Sequence, residues 1–212
     1  MYVTRHTNVT DPAVVDSLWR LYELAYDEIA GQDITRETLF RHEFVEVLAD
    51  STYRTTVVRS DDGSPIAMAV IATDIGVTRY LSVPYFRRRY PDRLAAGRIH
   101  YIMWILVHPD HQNTRATYEL ARAGLAPEVE DGTLLVFDLP ESNQPNEAGG
   151  GAEFFRRVAK TLAEVQLESF GMSRYYALDF APAEAEFDRV VELERVEDAA
   201  TESEVESASG TA

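Results

Sequence analysis

The chain has 212 residues, of which 45% are hydrophobic and 26% charged, with a formal net charge of -16 and no cysteine. This length suits one domain with a sizeable core, and the lack of cysteine excludes disulfides and thiolate metal sites. No apolar run reaches the ~20 residues of a membrane span, and so acidic a chain has little general affinity for nucleic acid. We therefore expect a cytoplasmic protein without membrane or nucleic-acid partners.

The first half of the chain predicts a strand, two helices and a hairpin. Residues 2–7 read as a short strand, and Asp11-Pro12 combines a helix cap with proline at the first helical position. Apolar residues at helical spacing continue this helix to Gly31, and a second helix is predicted over residues 36–49. Two β-rich runs, residues 54–59 and 65–73, flank a Ser-Asp-Asp-Gly-Ser turn and predict a hairpin.

The second half of the chain predicts alternating strands and helices. Residues 76–97 are less regular, and a central strand ends at His108. We expect a helix over residues 114–124, a strand over 133–139, a helix over 152–170 and a strand over 173–180. Hairpins combined with strand–helix–strand connections predict an α/β (α+β) domain, with a mixed, largely antiparallel central sheet flanked by helices.

The C-terminal residues carry half of the net charge. Residues 182–212 contain ten acidic residues against two arginines, and from Asp198 onward they are almost all Ala, Ser, Thr and Glu. Such a segment buries too little apolar surface to offset the entropy of ordering. We predict a domain over residues 1–181 and a disordered acidic tail over 182–212, which is either an interaction segment or a solubilising terminus.

The stretch from His100 to Arg122 is the most informative in the chain. An apolar strand ends in the turn His108-Pro109-Asp110-His111-Gln112 and leads directly into a helix. The first N–H groups of a helix have no partner within the helix, so this junction is a candidate anion site. The turn contains no glycine.

The element order and this turn resemble the GCN5-related N-acetyltransferase (GNAT) superfamily. The central strand of that family commonly ends Val-x-Pro-x-x-Arg/Gln-Gly-x-Gly-x-Gly/Ala, and Val107, Pro109 and Gln112 match in register. The three glycine positions carry other residues, Asn113, Arg115 and Thr117. The resemblance implies an acyl-CoA N-acyltransferase-like fold that uses acetyl-CoA or another acyl-CoA to modify a small amine or amino-acid-like substrate.

The resemblance also implies which residues bind the cofactor, because in this family the strand end pairs with the pantetheine arm and the turn holds the pyrophosphate. The implied set is Leu106, Val107, Gln112, Asn113, Thr114, Arg115, Ala116, Thr117 and Asn143. Without glycine, close approach of the pyrophosphate depends on where the side chains point. Arg115 can pair with a phosphate or, with Thr117, fill the slot. The same residues also suit a plain strand–turn–helix corner.

Acyl transfer to an amine needs a base near the nitrogen. The glutamate that often stands on the central strand of the family is absent, and His100 is the nearest replacement because histidine titrates near neutral pH. Strand alternation places His100 on one face with Ile102, Trp104, Leu106 and His108. A solvated histidine at the strand mouth, without a catalytic role, explains the same residue.

The acid that often protonates the leaving thiolate in this family is a tyrosine on the helix after the next strand. Phenylalanine stands there, at Phe154 and Phe155. The alternative donors are Tyr118 on the helix after the turn and the pair Tyr175 and Tyr176. Each is also compatible with a core or rim aromatic residue.

The substrate is expected near an arginine-rich segment. Arg87, Arg88 and Arg89, with Arg93 and Arg98, put five arginines within twelve residues. Such a group can receive a carboxylate or phosphate, or it can be a solvated helix turn. Trp104 can line an acyl slot or pack in the core.

The sequence alone leaves three further questions open. The chain could be a catalytically silent relative that binds a partner through the arginine-rich segment or the acidic tail. Its substrate could also be that of acyl-homoserine-lactone or N-acyl-amino-acid synthases, which use acyl carriers on the same scaffold. No metal site is predicted, because the histidines lack ligand spacing, and a homodimer is one possible assembly of the chain.

Overall fold

Five strands and six helices make up the part of the chain that the computed structural model describes, residues 1–30, 38–112, 114–139 and 150–171. The strands are β1 (Tyr2–His6), β2 (Tyr53–Arg59), β3 (Pro65–Ala72), β4 (Ile99–Val107) and β5 (Leu134–Val136). The helices are α1 (Pro12–Ala30), α2 (Arg41–Ala49), α3 (Val83–Arg89), α4 (Pro91–Ala95), α5 (Arg115–Asp131) and α6 (Gly150–Lys160). Single 3₁₀ turns lie at Ile75–Val77 and Pro109–His111.

The strands form one mixed sheet in the order β1-β2-β3-β4-β5. Strands β1 to β4 are antiparallel, and β5 joins β4 in parallel. The β2–β3 hairpin follows from its turn, where Gly63 has a φ of 89° and the Ser64 N–H donates to Asp62 Oδ1 at 3.0 Å. The predicted mixed, largely antiparallel sheet is confirmed.

Helices cover both faces of this sheet. On one face Tyr22 of α1 and Phe44 of α2 contact the ring of Trp104, with ring centroids 5.9 and 6.0 Å from it. On the other face Leu120 of α5 packs in a cluster that includes Ile105. Because Trp104 and Ile105 are neighbours on β4, their side chains point to opposite faces. The predicted helices on both faces are therefore confirmed.

A β-bulge at Met103 changes which residues of β4 share a face. Pairing with β3 skips this residue. His100, before the bulge, contacts Glu128 of α5, whereas Trp104, after it, contacts Tyr22 of α1. The prediction that His100 and Trp104 share one face is wrong, because the extra residue reverses the alternation of side chains.

Helix α5 is longer than the sequence predicts. Gly124 marked its expected end, yet the helix continues to Asp131. Leu125 and Glu128 are buried beyond that point and hold the additional turns against the sheet. Gly132, with a φ of 63°, then ends the helix in the left-handed conformation.

Helix α6 is shorter than predicted and ends at Lys160. The Thr161 hydroxyl donates to the Val158 carbonyl at 2.7 Å just beyond this end. Val165 and Leu167 are exposed, so the following residues bury no apolar stripe that would extend the helix.

Two other stretches differ from the prediction, and one predicted strand cannot be compared with the structure. Residues 38–40 are not helical, and residues 76–97, expected to be irregular, contain α3 and α4. The predicted strand over 173–180 and the boundary between residues 181 and 182 lie outside the described residues.

Candidate functional site

The edge of β4 is open along most of its length. β3 pairs with one side of β4 along most of the strand, but on the other side β5 pairs with it only from Ile99 to Tyr101, and the described residues place no strand on that side from Ile102 to Val107. Such an edge presents unpaired backbone N–H and C=O groups. We call Ile102–Val107 the open edge.

The point where β5 leaves β4 carries a polar pair. The Tyr101 hydroxyl donates to Asp138 Oδ1 at 2.6 Å, and the ring of Tyr80 lies 6.0 Å from that of Tyr101. Tyr101 is buried and Asp138 is exposed, so the pair joins the sheet interior to the surface. Sequence reasoning missed both residues, although Tyr101 follows His100 on the opposite face and Asp138 is the one acidic residue in 133–139.

The open edge leads into the turn before α5. A 3₁₀ turn, Pro109–His111, follows β4, and His108 Nδ1 accepts the Asp110 N–H at 3.2 Å. Thr114 caps α5 by accepting the Ala116 N–H at 3.2 Å. The helix therefore begins at the end of the open edge, with its first-turn N–H groups there.

The side chains at the three glycine positions of the family point in different directions. Arg115 is 80% exposed and its Nε lies 3.0 Å from Glu119 Oε1, so it follows the outer surface of α5. Thr117 points inward, and its buried hydroxyl has no hydrogen-bond partner within the described part of the chain. Asn113 lies outside the described residues, as does Asn143.

An apolar cavity lies between α5, α6 and the sheet. It encloses about 360 Å³ of empty space, part of it open to solvent. Ile102 and Ile105 of the open edge contribute one wall, and Phe154 and Phe155 of α6 another. The other described lining residues are Ala69, Ile71, Thr117, Leu120, Ala121, Gly124 and Leu125.

The opposite face of β4 carries an aromatic cluster rather than a slot. Trp104 is 5% exposed, and its Nε1 has no hydrogen-bond partner among the described residues. Tyr22 packs against it and accepts the Leu39 N–H at 2.8 Å. Burial raises the pKa of the Tyr22 phenol well above its ordinary value.

His100 lies in a buried charge cluster formed by Arg54, His100, Glu128 and Thr133. Its Nδ1 is 2.6 Å from Glu128 Oε2, which also accepts the Thr133 hydroxyl at 2.6 Å. Arg54 Nη1 lies 2.7 Å from Glu128 Oε1. His100 is 4% exposed and stands where β4 and β5 still pair, so it does not lie at the strand mouth as the sequence suggested.

The remaining predicted residues are divided between core and surface. Leu106 and Ala116 are buried, and Val107 packs against the cluster beneath α5. Tyr118 is 39% exposed and does not line the cavity. Gln112 is exposed.

Only some arginines of the arginine-rich segment are free of the ion pairs and hydrogen bonds described here and so could bind an anion. Arg89 pairs with Glu168 at 2.6 Å and with the Tyr90 hydroxyl at 3.1 Å, while Arg93 donates to the Gly132 carbonyl at 3.3 Å. Arg87 and Arg88 are exposed at the end of α3. Within the described residues, then, an anion could meet these two guanidinium groups.

Two kinds of feature are absent from the residues that the structure describes. These residues contain no group of three or more histidine, aspartate and glutamate side chains that could hold a metal ion. Among the same residues, no helix is both long and apolar enough to cross a membrane.

Comparison with known proteins gives similarity in structure but not in sequence. No protein-family model matches the chain, and no curated protein sequence is significantly similar to it. Among solved structures, the chain is similar to a mutant of the BH1408 protein from Bacillus halodurans, with 14% identity and a TM-score of 0.51 over 84% of this chain and 99% of that one.

Two acetyltransferase structures are also similar. One is the aminoglycoside acetyltransferase meta-AAC0020 from an uncultured soil metagenomic sample, with 15% identity and a TM-score of 0.47, covering 84% of this chain and 96% of that one. The other is a ribosomal-protein-alanine N-acetyltransferase from Brucella melitensis biovar Abortus 2308, with 14% identity and a TM-score of 0.44, covering 82% and 100%. At such identities the likeness concerns the fold, not the substrate.

Proposed function

We propose that the chain is an enzyme of the GCN5-related N-acetyltransferase type, which transfers an acyl group from acyl-coenzyme A to the nitrogen of a small amine or amino-acid-like substrate; the five-stranded mixed sheet and the strand–turn–helix junction support this. The observation that carries the proposal is the open edge of β4, which runs from the Tyr101–Asp138 pair to the N-terminus of α5. The same surface therefore offers backbone groups that can pair with an extended ligand, an anion site at the N-terminus of α5 and the carboxylate of Asp138.

The donor end of the site fits an acyl-coenzyme A. Backbone groups of the open edge, including those of Leu106 and Val107, pair with the amides of its pantetheine arm. The first-turn N–H groups of α5, with Gln112 and Thr114 beside them, hold its pyrophosphate. The missing glycines do not block this approach at Arg115, because that side chain is held outward by Glu119.

The acceptor end uses the polar pair where β5 leaves β4. The donor supplies a thioester whose carbonyl carbon is open to attack by nitrogen. Asp138 binds the ammonium form of the acceptor, which loses one proton to solvent before attack, and Asp138 takes a second proton from the nitrogen as it bonds to the acyl carbon. The carbon–sulfur bond breaks, and Tyr101, 2.6 Å from Asp138, gives a proton to the departing sulfur and regains one from Asp138. Arg87 and Arg88 stay predicted contacts for an anionic part of the substrate.

This assignment replaces the acid and base suggested by the sequence. His100 is engaged by Glu128 and buried at the closed end of β4, so we propose a structural role for it. Tyr118 is exposed on α5 and is not among the described residues that line the cavity. Asp138 and Tyr101 instead stand at the start of the open edge.

Release of free thiol from acyl-coenzyme A, measured with a panel of amines, tests the proposal. We expect turnover by the wild type and a fall in kcat of about 100-fold or more for Asp138→Asn and Tyr101→Phe, since general acid–base groups contribute roughly that much. Tyr2→Phe, on exposed β1, is the matched control and should keep the wild-type rate.

Two results would contradict the proposal. Wild-type rates in both variants would remove the roles given to Asp138 and Tyr101. Calorimetric binding of acyl-coenzyme A without turnover of any amine would instead identify a catalytically silent binding protein.

A further inference from the structure

A second cavity lies at the start of β4, beside the short helix α4 and the 3₁₀ turn Ile75–Val77. Its volume is about 250 Å³. This is roughly eight times the volume that one water molecule occupies in the liquid, so the cavity has room for a small organic group. We call it the α4 cavity, and its described lining residues are Thr73, Asp74, Ile75, Leu94, Ala95, Gly97 and Ile99.

The α4 cavity has one charged lining residue, Asp74. The Thr73 hydroxyl donates to the Thr52 carbonyl at 2.7 Å, and the other lining residues are aliphatic or glycine. Asp74 Oδ1 accepts the Gly76 N–H at 2.7 Å, and no cationic side chain among the described residues pairs with Asp74. Its second oxygen, Oδ2, is therefore left for a ligand, and the cavity suits an aliphatic group that carries a positive charge.

The carboxylate of Asp74 is held in place by its local structure. It caps the 3₁₀ turn through the Gly76 N–H. A Cβ on Gly76 would lie 3.0 Å from Asp74 Oδ1, closer than ordinary van der Waals contact, so this arrangement requires glycine there. A carboxylate that is already ordered loses little entropy when a ligand binds it.

The α4 cavity adjoins the proposed acceptor end of the site. Ile99, which lines it, is two residues before Tyr101 on β4 and precedes the bulge, so the two share a face of the sheet about 7 Å apart along the strand. Asp74 follows β3 and Asp138 follows β5, the two strands that flank β4. The two carboxylates therefore lie on opposite sides of the strand that carries Tyr101.

We infer that the α4 cavity binds the non-reacting end of the acceptor, and that the preferred acceptor is an aliphatic compound with two amino groups. This inference rests on the proposed function. The nitrogen near Asp138 bonds to the acyl carbon as the carbon–sulfur bond breaks, with the proton transfers proposed above. The second nitrogen stays an ammonium ion against Asp74 and is not acylated, and the chain between the two nitrogens spans from one carboxylate to the other.

Thiol release measured with ethylene-, hexamethylene- and decamethylenediamine, and with ethyl-, hexyl- and decylamine, tests the inference. Once the chain reaches both carboxylates, a diamine should have a KM about tenfold or more below that of the alkylamine of the same length, because a hydrogen bond to a charged group contributes that much. The kcat values should be similar, since Asp74 does not touch the reacting atoms. Ethylenediamine is too short to gain. Equal KM values for diamine and alkylamine at every length would overturn the inference.

The substitution Asp74→Asn separates the charge of this residue from its role as a cap. Asparagine caps a turn about as well as aspartate, so the loop is kept while the charge is lost. The KM of the long diamines should rise to that of the alkylamines, whose own KM should not change. Survival of the diamine preference in this variant would overturn the inference.

Asp62→Asn is the matched control. Asp62 also accepts a backbone N–H, that of Ser64, but it stands in the turn at the opposite end of β3. This variant should keep the preference for diamines, and thermal melts verify the folding of both variants. The comparison of amines with the wild type decides the question even if Asp74→Asn does not fold.

Calorimetric titration of the wild type with the same amines separates this inference from the proposed function. If amines are acylated without any preference for diamines, only the inference fails. If decamethylenediamine binds to the wild type and not to Asp74→Asn, but no amine is acylated, the cation site at Asp74 stands, whereas the proposed function and the acceptor assignment both fail.

Discussion

A single carboxylate, Glu128 of α5, joins three other parts of the fold. Its oxygens contact Arg54 of β2, His100 of β4 and Thr133 just before β5. A carboxylate this deeply buried is tolerated because both of its oxygens have partners. His100 is part of this anchor, and its contact with Glu128 is the basis of the structural role that we propose for it.

Removing Glu128 should therefore be costly. Glu128→Ala leaves His100 and Arg54 without their buried partner, and we expect a loss of about 3–5 kcal/mol in the free energy of unfolding. Glu119→Ala, which breaks the more exposed pair with Arg115 on the same helix, should cost about 1 kcal/mol or less. Urea unfolding of both variants measures the difference, and similar small losses would show that the buried cluster does not hold α5 to the sheet.

Tyr22 makes stability depend on pH in the alkaline range. Burial raises the pKa of its phenol in the folded state above the ordinary value of about 10. The folded state thus holds this proton more tightly than the unfolded chain, so the stabilisation is complete below about pH 10 and declines as the pH rises further.

Urea midpoints at about pH 7 and about pH 11 test this effect. Tyr22→Phe should lower the midpoint at neutral pH, because the Leu39 N–H loses its acceptor, and should reduce the further fall at alkaline pH. Phe44→Leu alters the same aromatic cluster without a titratable group and should lower both midpoints equally. An undiminished alkaline fall in Tyr22→Phe would contradict the account.

Among the elements, β4 determines the layout of the site. Its bulge at Met103 directs His100 and Ile102 toward α5 and Trp104 toward α1. Its early separation from β5 exposes the open edge, and its last residue leads to the turn before α5. Without the bulge, regular alternation would place His100, Ile102 and Trp104 on one face of the sheet.

Deleting Met103 should leave the faces of β4 unchanged. Met103 has no partner on β3, and its removal makes Ile102 and Trp104 neighbours opposite Ile71 and Val70, which are already neighbours. We expect the deletion variant to keep cooperative urea unfolding and near-ultraviolet circular dichroism, and Met103→Leu to cost less than about 1.5 kcal/mol. Loss of cooperative unfolding in the deletion variant would show that the bulged residue itself is required.

At the scale of the whole molecule, the sequence predicts the framework better than the site. The hairpin, α1 and the turn at Pro109 follow from local signals: a Gly-containing turn, a proline at the start of a helix and an apolar run that stops. The continuation of α5 through Gly124 and Pro127 depends on burial of Leu125 and Glu128, which no local pattern reveals.

The site residues were harder to predict for the same reason. His100 contacts Glu128, which lies 28 residues further along the chain, and no local pattern reveals this buried partner. Tyr101 and Asp138 meet only because β5 lies parallel to β4, across 37 residues of sequence. The cavity depends on how α6 packs against α5, which the sequence does not specify.

Residue-resolved amide hydrogen exchange with and without saturating acyl-coenzyme A tests the central claim, that the open edge of β4 binds the acyl donor. The account predicts new protection at the amides of Ile102–Val107 that face away from β3 and at the first turn of α5, with no change in β1. Unchanged exchange along Ile102–Val107, or protection confined to the arginines of α3, would contradict it.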